Sequence, residues 1–165
     1  MDLFLVRHAE AVDLGHEGVS SDAERFLSPE GHEQAFRLGA WLKHSGVPIA
    51  AVVTSPMVRA RQTAEGMIAR LTPPAPPIHV FDEIAESMRP KRVSRFLAEF
   101  GDTSVVLVGH QPTLGQFLGW LIGSRDVAIR VGKGAMARLD VLDWRKGGAE
   151  LVWLVTQDWL ESEAL

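Results

Sequence analysis

Three short stretches hold the residues able to do chemistry. Arg7-His8 ends the apolar run Leu3-Phe4-Leu5-Val6. Arg59 lies in Ser55-Pro56-Met57-Val58-Arg59-Ala60-Arg61-Gln62-Thr63 after a second apolar run, and Gly109-His110-Gln111-Pro112 follows a third. Two guanidiniums and two imidazoles converge on one task. Guanidinium keeps its proton and matches the fork of oxygens on a phosphoryl group. A neutral imidazole can attack phosphorus to give a phosphohistidine that water then cleaves. His8 is the expected nucleophile, with Arg7 and Arg59 binding the phosphoryl oxygens. His110 is the expected donor to the equatorial oxygens as charge redistributes in the transition state, assisted by backbone N–H groups near Gln111.

Protonating a leaving group is commonly a carboxyl's task. The candidates are Glu83, Asp82, Glu86 and Glu10, and Glu83 is the choice. A rival arrangement makes His8 and His110 metal ligands together with Asp82 or Glu83. The adjacent arginines would repel a divalent cation, so neither metal nor cofactor is expected.

These residues require strands that end at a common edge. Phe4 to Val6, Ile49 to Thr54 and Ser104 to Val108 are apolar runs suited to a buried parallel sheet, whose strand ends face the ligand crevice. Ser28 as N-cap and Pro29 at the first helical position open a helix to about His44, stopping at Gly46. Ser55-Pro56 opens a second helix, which places Arg59 about one turn in. Pro90 opens a third, closed near Gly101, and Pro112 a fourth with Leu114, Phe117, Leu118 and Leu121 inward. Ile78 to Phe81 is a short strand after the proline-rich connection 72–77. Ala135 to Val141 and Glu150 to Thr156 alternate as a hairpin around Lys146-Gly147-Gly148. Strands alternating with helices predict a three-layer α/β/α sandwich, mainly parallel with an antiparallel C-terminal addition.

The 165 residues, 46% of them apolar, are expected to form one domain over 1–165. A net charge of −4 with both signs mixed argues against nucleic acid. The absence of cysteine excludes disulfides, thiolate zinc sites and a cysteine nucleophile. No basic segment followed by a long apolar one opens the chain, and no apolar run is long enough to span a bilayer, so a cytoplasmic protein with no membrane partner is expected. Oligomeric state is left open.

Taken in order and with their spacing, Arg7-His8-Ala9, Leu27 to Gly31, the Ser55 to Thr63 segment and Gly109-His110 resemble the histidine phosphatase superfamily, and within it the small SixA-type phosphohistidine phosphatases. The resemblance implies a phosphoglycerate mutase-like fold, with His8 as phosphoacceptor and Arg7, Arg59 and His110 closing the pocket. Mutase-like relatives carry an acid in a Glu-rich segment after the second helix, where this chain has only Phe81-Asp82-Glu83-Ile84. They also place asparagine where Leu14 stands, so a mutase is disfavoured. A labile P–N bond needs little help from an acid, which favours phosphohistidine in a protein as substrate. A small-molecule phosphomonoesterase and a non-catalytic phosphoprotein-binding module are the alternatives. Arg89, Lys91, Arg92 and Arg95 form a basic cluster that is either a solvated face or a docking surface. Lys133 is either a hairpin entry or a rim cation.

Overall fold

The computed structural model describes residues 1–85, 87–124, 126–127 and 129–162. Glu86, one of the candidate acids, lies outside the described residues. Six strands, β1 (Asp2–Arg7), β2 (Ile49–Thr54), β3 (Ile78–Val80), β4 (Ser104–Gly109), β5 (Met136–Val141) and β6 (Ala149–Val155), form one sheet in the order β3-β2-β4-β1-β5-β6. The first four are parallel; β5 pairs antiparallel with β1, and β6 antiparallel with β5.

Alternation along the buried strands sends side chains into two cores. Leu3, Leu5, Val53, Val105 and Leu107 meet Val93 and Leu97 of α3 (Pro90–Ala98) and Leu114, Phe117 and Leu121 of α4 (Thr113–Leu121) on one face. Phe4, Val6, Val52, Val106 and Val108 meet Leu38 and Leu42 of α1 (Pro29–His44), Ala60, Ala64 and Met67 of α2 (Val58–Ile68) and Leu160 of α5 (Gln157–Ser162) on the other. Each Leu, Val or Phe fully withdrawn from water contributes about 1.5–3 kcal/mol. β1, β2 and β4 are therefore fixed from both sides, and their ends are firm supports for a site. The expected three layers and the C-terminal hairpin are present.

Local signals explain the helix ends. Gly31 N–H donates to Ser28 Oγ at 3.1 Å, so Ser28 caps α1 as its position before Pro29 predicts. Gly46 takes a left-handed φ of 69° just past α1, a conformation that favours glycine. The second helix differs from expectation. It begins at Val58 with Met57 as N-cap, so Arg59 is its second residue rather than a turn in. The Ser55 hydroxyl oxygen accepts from Met57 N–H at 3.3 Å, ahead of the first helical residue, and the same hydroxyl contacts His110. Short α5 was absent from the sequence reading. β3 falls within the short strand expected over Ile78 to Phe81, and its His79 packs against Phe100. No helix among the described residues is long and apolar enough to cross a membrane.

Candidate active site

Register assembles the site. Arg7 pairs with Gly109 and Thr54 with Val108, so the next residues along β1, β4 and β2 are His8, His110 and Ser55, side by side at one sheet edge. The His8 and His110 ring centroids are 5.0 Å apart. Both imidazoles and Arg59 are only 6% exposed. His8 N–H donates to the Gly109 carbonyl at 3.0 Å, and Gly134 N–H donates to the carbonyls of Arg7 and His8. Beyond it, Ala9 N–H donates to Thr63 Oγ1 of α2 and Glu10 N–H to Gln34 Oε1 of α1. Gly31 closes this packing: a Cβ there would collide with the Glu10 carbonyl.

One hydrogen bond fixes the state of His8. Its Nδ1 lies 2.7 Å from the Ala9 carbonyl, which can only accept, so Nδ1 carries the proton. Nε2 keeps its lone pair, and Arg59 Nε–H donates to it at 3.2 Å. Burial pushes His8 down to about 3, opposed by the bond to Ala9 and reinforced by His110, Arg59 and Arg7. His110 is pushed down to about 4, by burial first and then by Arg59 and Arg7, against the opposing charge of Asp22. Burial, then neighbouring Arg130, draws Arg7 below its ordinary value. Cations and neutral rings thus lie side by side at one sheet edge, as an anion site with a neutral nucleophile requires.

The two imidazoles make stability depend on pH. Well above pH 6.5 neither the folded nor the unfolded state protonates them, and they contribute no difference. Below it the unfolded chain takes up protons that the folded protein refuses until its own rings titrate, near 4 and 3. Stability from this source therefore falls as pH drops from 6.5 towards 4, by as much as about 2.7 kcal/mol per pH unit for two rings. Urea unfolding at pH 6.5, 5.5 and 4.5 should show a steep decline in wild type and a markedly flatter one in His8→Ala/His110→Ala. Equal slopes would exclude these rings as its cause.

Arg7 Nη1 donates to the Val131 carbonyl at 3.1 Å, while its buried Nε has no hydrogen-bond partner. His110 Nε2 is 2.6 Å from Ser55 Oγ, and its buried Nδ1 likewise has no partner. Buried polar atoms are rarely left unbonded. These two are therefore groups with bonding capacity to spare beside His8.

The Gln111 side chain points to a different task. Its Oε1 accepts from Gly115 N–H in the first turn of α4, and its Nε2 donates to the Ile129 carbonyl. Glu83 sits in the turn Asp82–Ile84 with Oε1 2.7 Å from Arg92 Nη1, while its buried Oε2 makes no hydrogen bond. Arg92, and Arg89 at 3.9 Å, are thereby exposed ion-pair partners of Glu83. Lys133, in the turn that leads into β5, pairs with Glu10. Among the described residues no three His, Asp or Glu side chains gather as a metal site.

Two residues escaped the sequence analysis. Ser55 occupies a strand-end position equivalent to those of His8 and His110, which is the signal that could have found it. Asp22 offered none, since only folding of the loop before α1 brings it in. Its carboxylate lies 2.8 Å from Arg59 Nη2, and its carbonyl accepts from Nη1. Partial burial pushes Asp22 up, but the hydrogen bonds from Arg59 and Arg25 outweigh it and hold the carboxyl below its ordinary value. Asp22 therefore occupies the donors with which Arg59 would hold an anion. Asp22→Asn, which keeps an oxygen for the guanidinium but removes the charge, should tighten competitive inhibition by orthophosphate about tenfold, or 1.4 kcal/mol. An unchanged or weaker inhibition constant would show that Asp22 positions Arg59 without opposing the anion.

Comparison with known proteins matches residues 3–92 to the family model for the histidine phosphatase superfamily (branch 1). The phosphohistidine phosphatase SixA of Escherichia coli strain K12 is 30% identical over 124 residues, covering 73% of this chain and 74% of its own. A solved structure of the protein histidine phosphatase SixA complexed with tungstate superposes with a TM-score of 0.81 at 26% identity, covering 94% of this chain and 97% of its own. The α-ribazole phosphatase of Shigella flexneri shares the fold, with a TM-score of 0.69 at 23% identity over 95% of this chain and 97% of its own.

Proposed function

Since the chain belongs to the histidine phosphatase superfamily and is a histidine phosphatase, we propose that it removes phosphoryl groups through a covalent intermediate on His8, with phosphohistidine in a protein as its preferred substrate. The observation that carries this reading is the Nδ1–Ala9 bond, which presents the His8 Nε2 lone pair as a fixed, neutral nucleophile. Nε2 attacks phosphorus as the bond to the leaving group breaks, and the leaving group departs with a proton. Arg59, Arg7 and the free Nδ1 of His110 hold the three equatorial oxygens and stabilise the transition state. Water then attacks the phosphohistidine in line, releasing phosphate and restoring neutral His8.

A phosphohistidine leaving group is an imidazole, which accepts a proton readily and does not demand a strong positioned acid. Similarity to SixA supports the same substrate class. A second reading, a small-molecule phosphomonoesterase with Glu83 as acid, is favoured by the unbonded Glu83 Oε2. The deciding experiment compares kcat/KM for a phosphohistidine-bearing protein domain with that for an aryl phosphate and a sugar phosphate. A preference for phosphohistidine supports the first reading. Comparable or faster turnover of the sugar phosphate, lost in Glu83→Gln, establishes the second.

A further inference from the structure

Away from His8, a cavity of about 510 Å³ opens between α3 and the turn joining β5 to β6, lined by Lys91, Arg95, Trp120, Trp144, Arg145 and Lys146. Its volume falls within the roughly 300–1,000 Å³ of small-molecule sites. Four cations from two separate elements line one concavity in a chain whose net charge is −4. Arg145 has Asp143 as a partner at 2.7 Å, whereas Lys91, Arg95 and Lys146 have no ion-pair partner among the described residues. The Trp120 ring stacks on Phe117 of the core, with the ring planes 12° apart, which makes it a rigid wall rather than a mobile surface side chain.

Position separates this cavity from the phosphatase site. β5 runs antiparallel to β1, pairing Val6 with Met136 and Asp2 with Asp140, so the turn after Val141 lies beside the start of β1. His8 lies beyond the other end of β1, roughly 20 Å away at about 3.3 Å per strand residue. Gly147 N–H donates to the Trp120 carbonyl and secures the turn to the end of α4.

We propose that this cavity is a second ligand site, taking a nucleoside polyphosphate. Cations strung along one helix face fit an acidic chain, whereas cations that two separate elements bring to one concavity fit a compact polyanion. Lys and Arg hold phosphate oxygens, and the indoles of Trp120 and Trp144 supply flat apolar surface for a base. The inference stands independently of the reaction assigned to His8.

Calorimetric titration tests it, with the His8→Ala protein used so that no hydrolysis intervenes, and with ATP, tripolyphosphate and adenosine as separate probes. ATP is expected to bind more tightly than either of its parts. Lys91→Glu/Arg95→Glu, at two exposed positions, should weaken it at least tenfold, and Trp144→Leu severalfold. Arg59→Ala should leave ATP binding unchanged, which locates the ligand away from His8. Tripolyphosphate binding as tightly as ATP, insensitivity to the charge reversals, or loss of binding in Arg59→Ala would overturn the proposal. So would absence of ATP binding where an acidic peptide binds and is released by the same reversals. Circular dichroism of each variant separates a lost site from a lost fold.

Discussion

His8→Ala should lower kcat/KM for any phosphorylated substrate by at least about a thousandfold, equivalent to about 4 kcal/mol of transition-state stabilisation. It should also remove the covalent intermediate. Alanine leaves a space where Nε2 stood, and no other unprotonated imidazole nitrogen approaches the same point, because His110 Nε2 is held by Ser55. Quenching wild type during turnover and assaying for acid-labile, base-stable phosphate on the protein provides the second readout. Retained phosphorylation in His8→Ala would move the nucleophile elsewhere. A loss of activity with no intermediate detectable in wild type would favour direct attack by water, with His8 in a binding role.

His110→Ala is expected to cost about 10²–10³ in kcat, or about 2.7–4 kcal/mol, with a smaller change in KM. That split follows from the geometry. His110 is neutral and contributes little attraction to a ground-state phosphate beside two arginines, but its unbonded Nδ1 can strengthen a hydrogen bond as charge moves onto the equatorial oxygens. Nδ1 is a donor only if Nε2 accepts from the Ser55 hydroxyl. The 2.6 Å contact between them makes Ser55 the positioning residue for that tautomer. Ser55→Ala should therefore lower kcat by a smaller factor, and the 15N shifts of His110 should show the proton redistributed between its ring nitrogens. Unchanged shifts with reduced kcat would point to a packing defect. A KM effect exceeding the kcat effect in His110→Ala would make the ring a ground-state ligand.

Much of the scaffold was legible because it depends on local pattern. The apolar runs of β1, β2 and β4 are buried on both faces and need no partner information to be recognised as strands. Ser28-Pro29 and Gly46 bracket α1 through capping chemistry that acts within a few residues. The start of α2 lies later than Ser55-Pro56 suggests: the Ser55 oxygen accepts from Met57 N–H, but the helix begins only at Val58, and the same hydroxyl contacts His110, 55 residues away. Asp22 with Arg59, Lys133 with Glu10 and Arg92 with Glu83 share this character. Each is a contact between side chains whose proximity is set by tertiary packing, and no spacing rule encodes it. Gln111 illustrates the reverse. Its place beside His110 drew attention, yet its amide caps α4 and secures the segment at Ile129.

The central place of β1 bears on when the protein can work as well as how. The strand that carries Arg7 emerges well before its two neighbours, β4 and β5, which are about 100 and 135 residues further along. Contacts so distant in sequence slow folding, since loop closure must precede the gain from pairing. A nascent chain lacking β4 has no His110, and one lacking Gly134 cannot secure the carbonyls of Arg7 and His8. The surroundings of His8 are therefore completed late, and a half-made chain holds this imidazole unassembled.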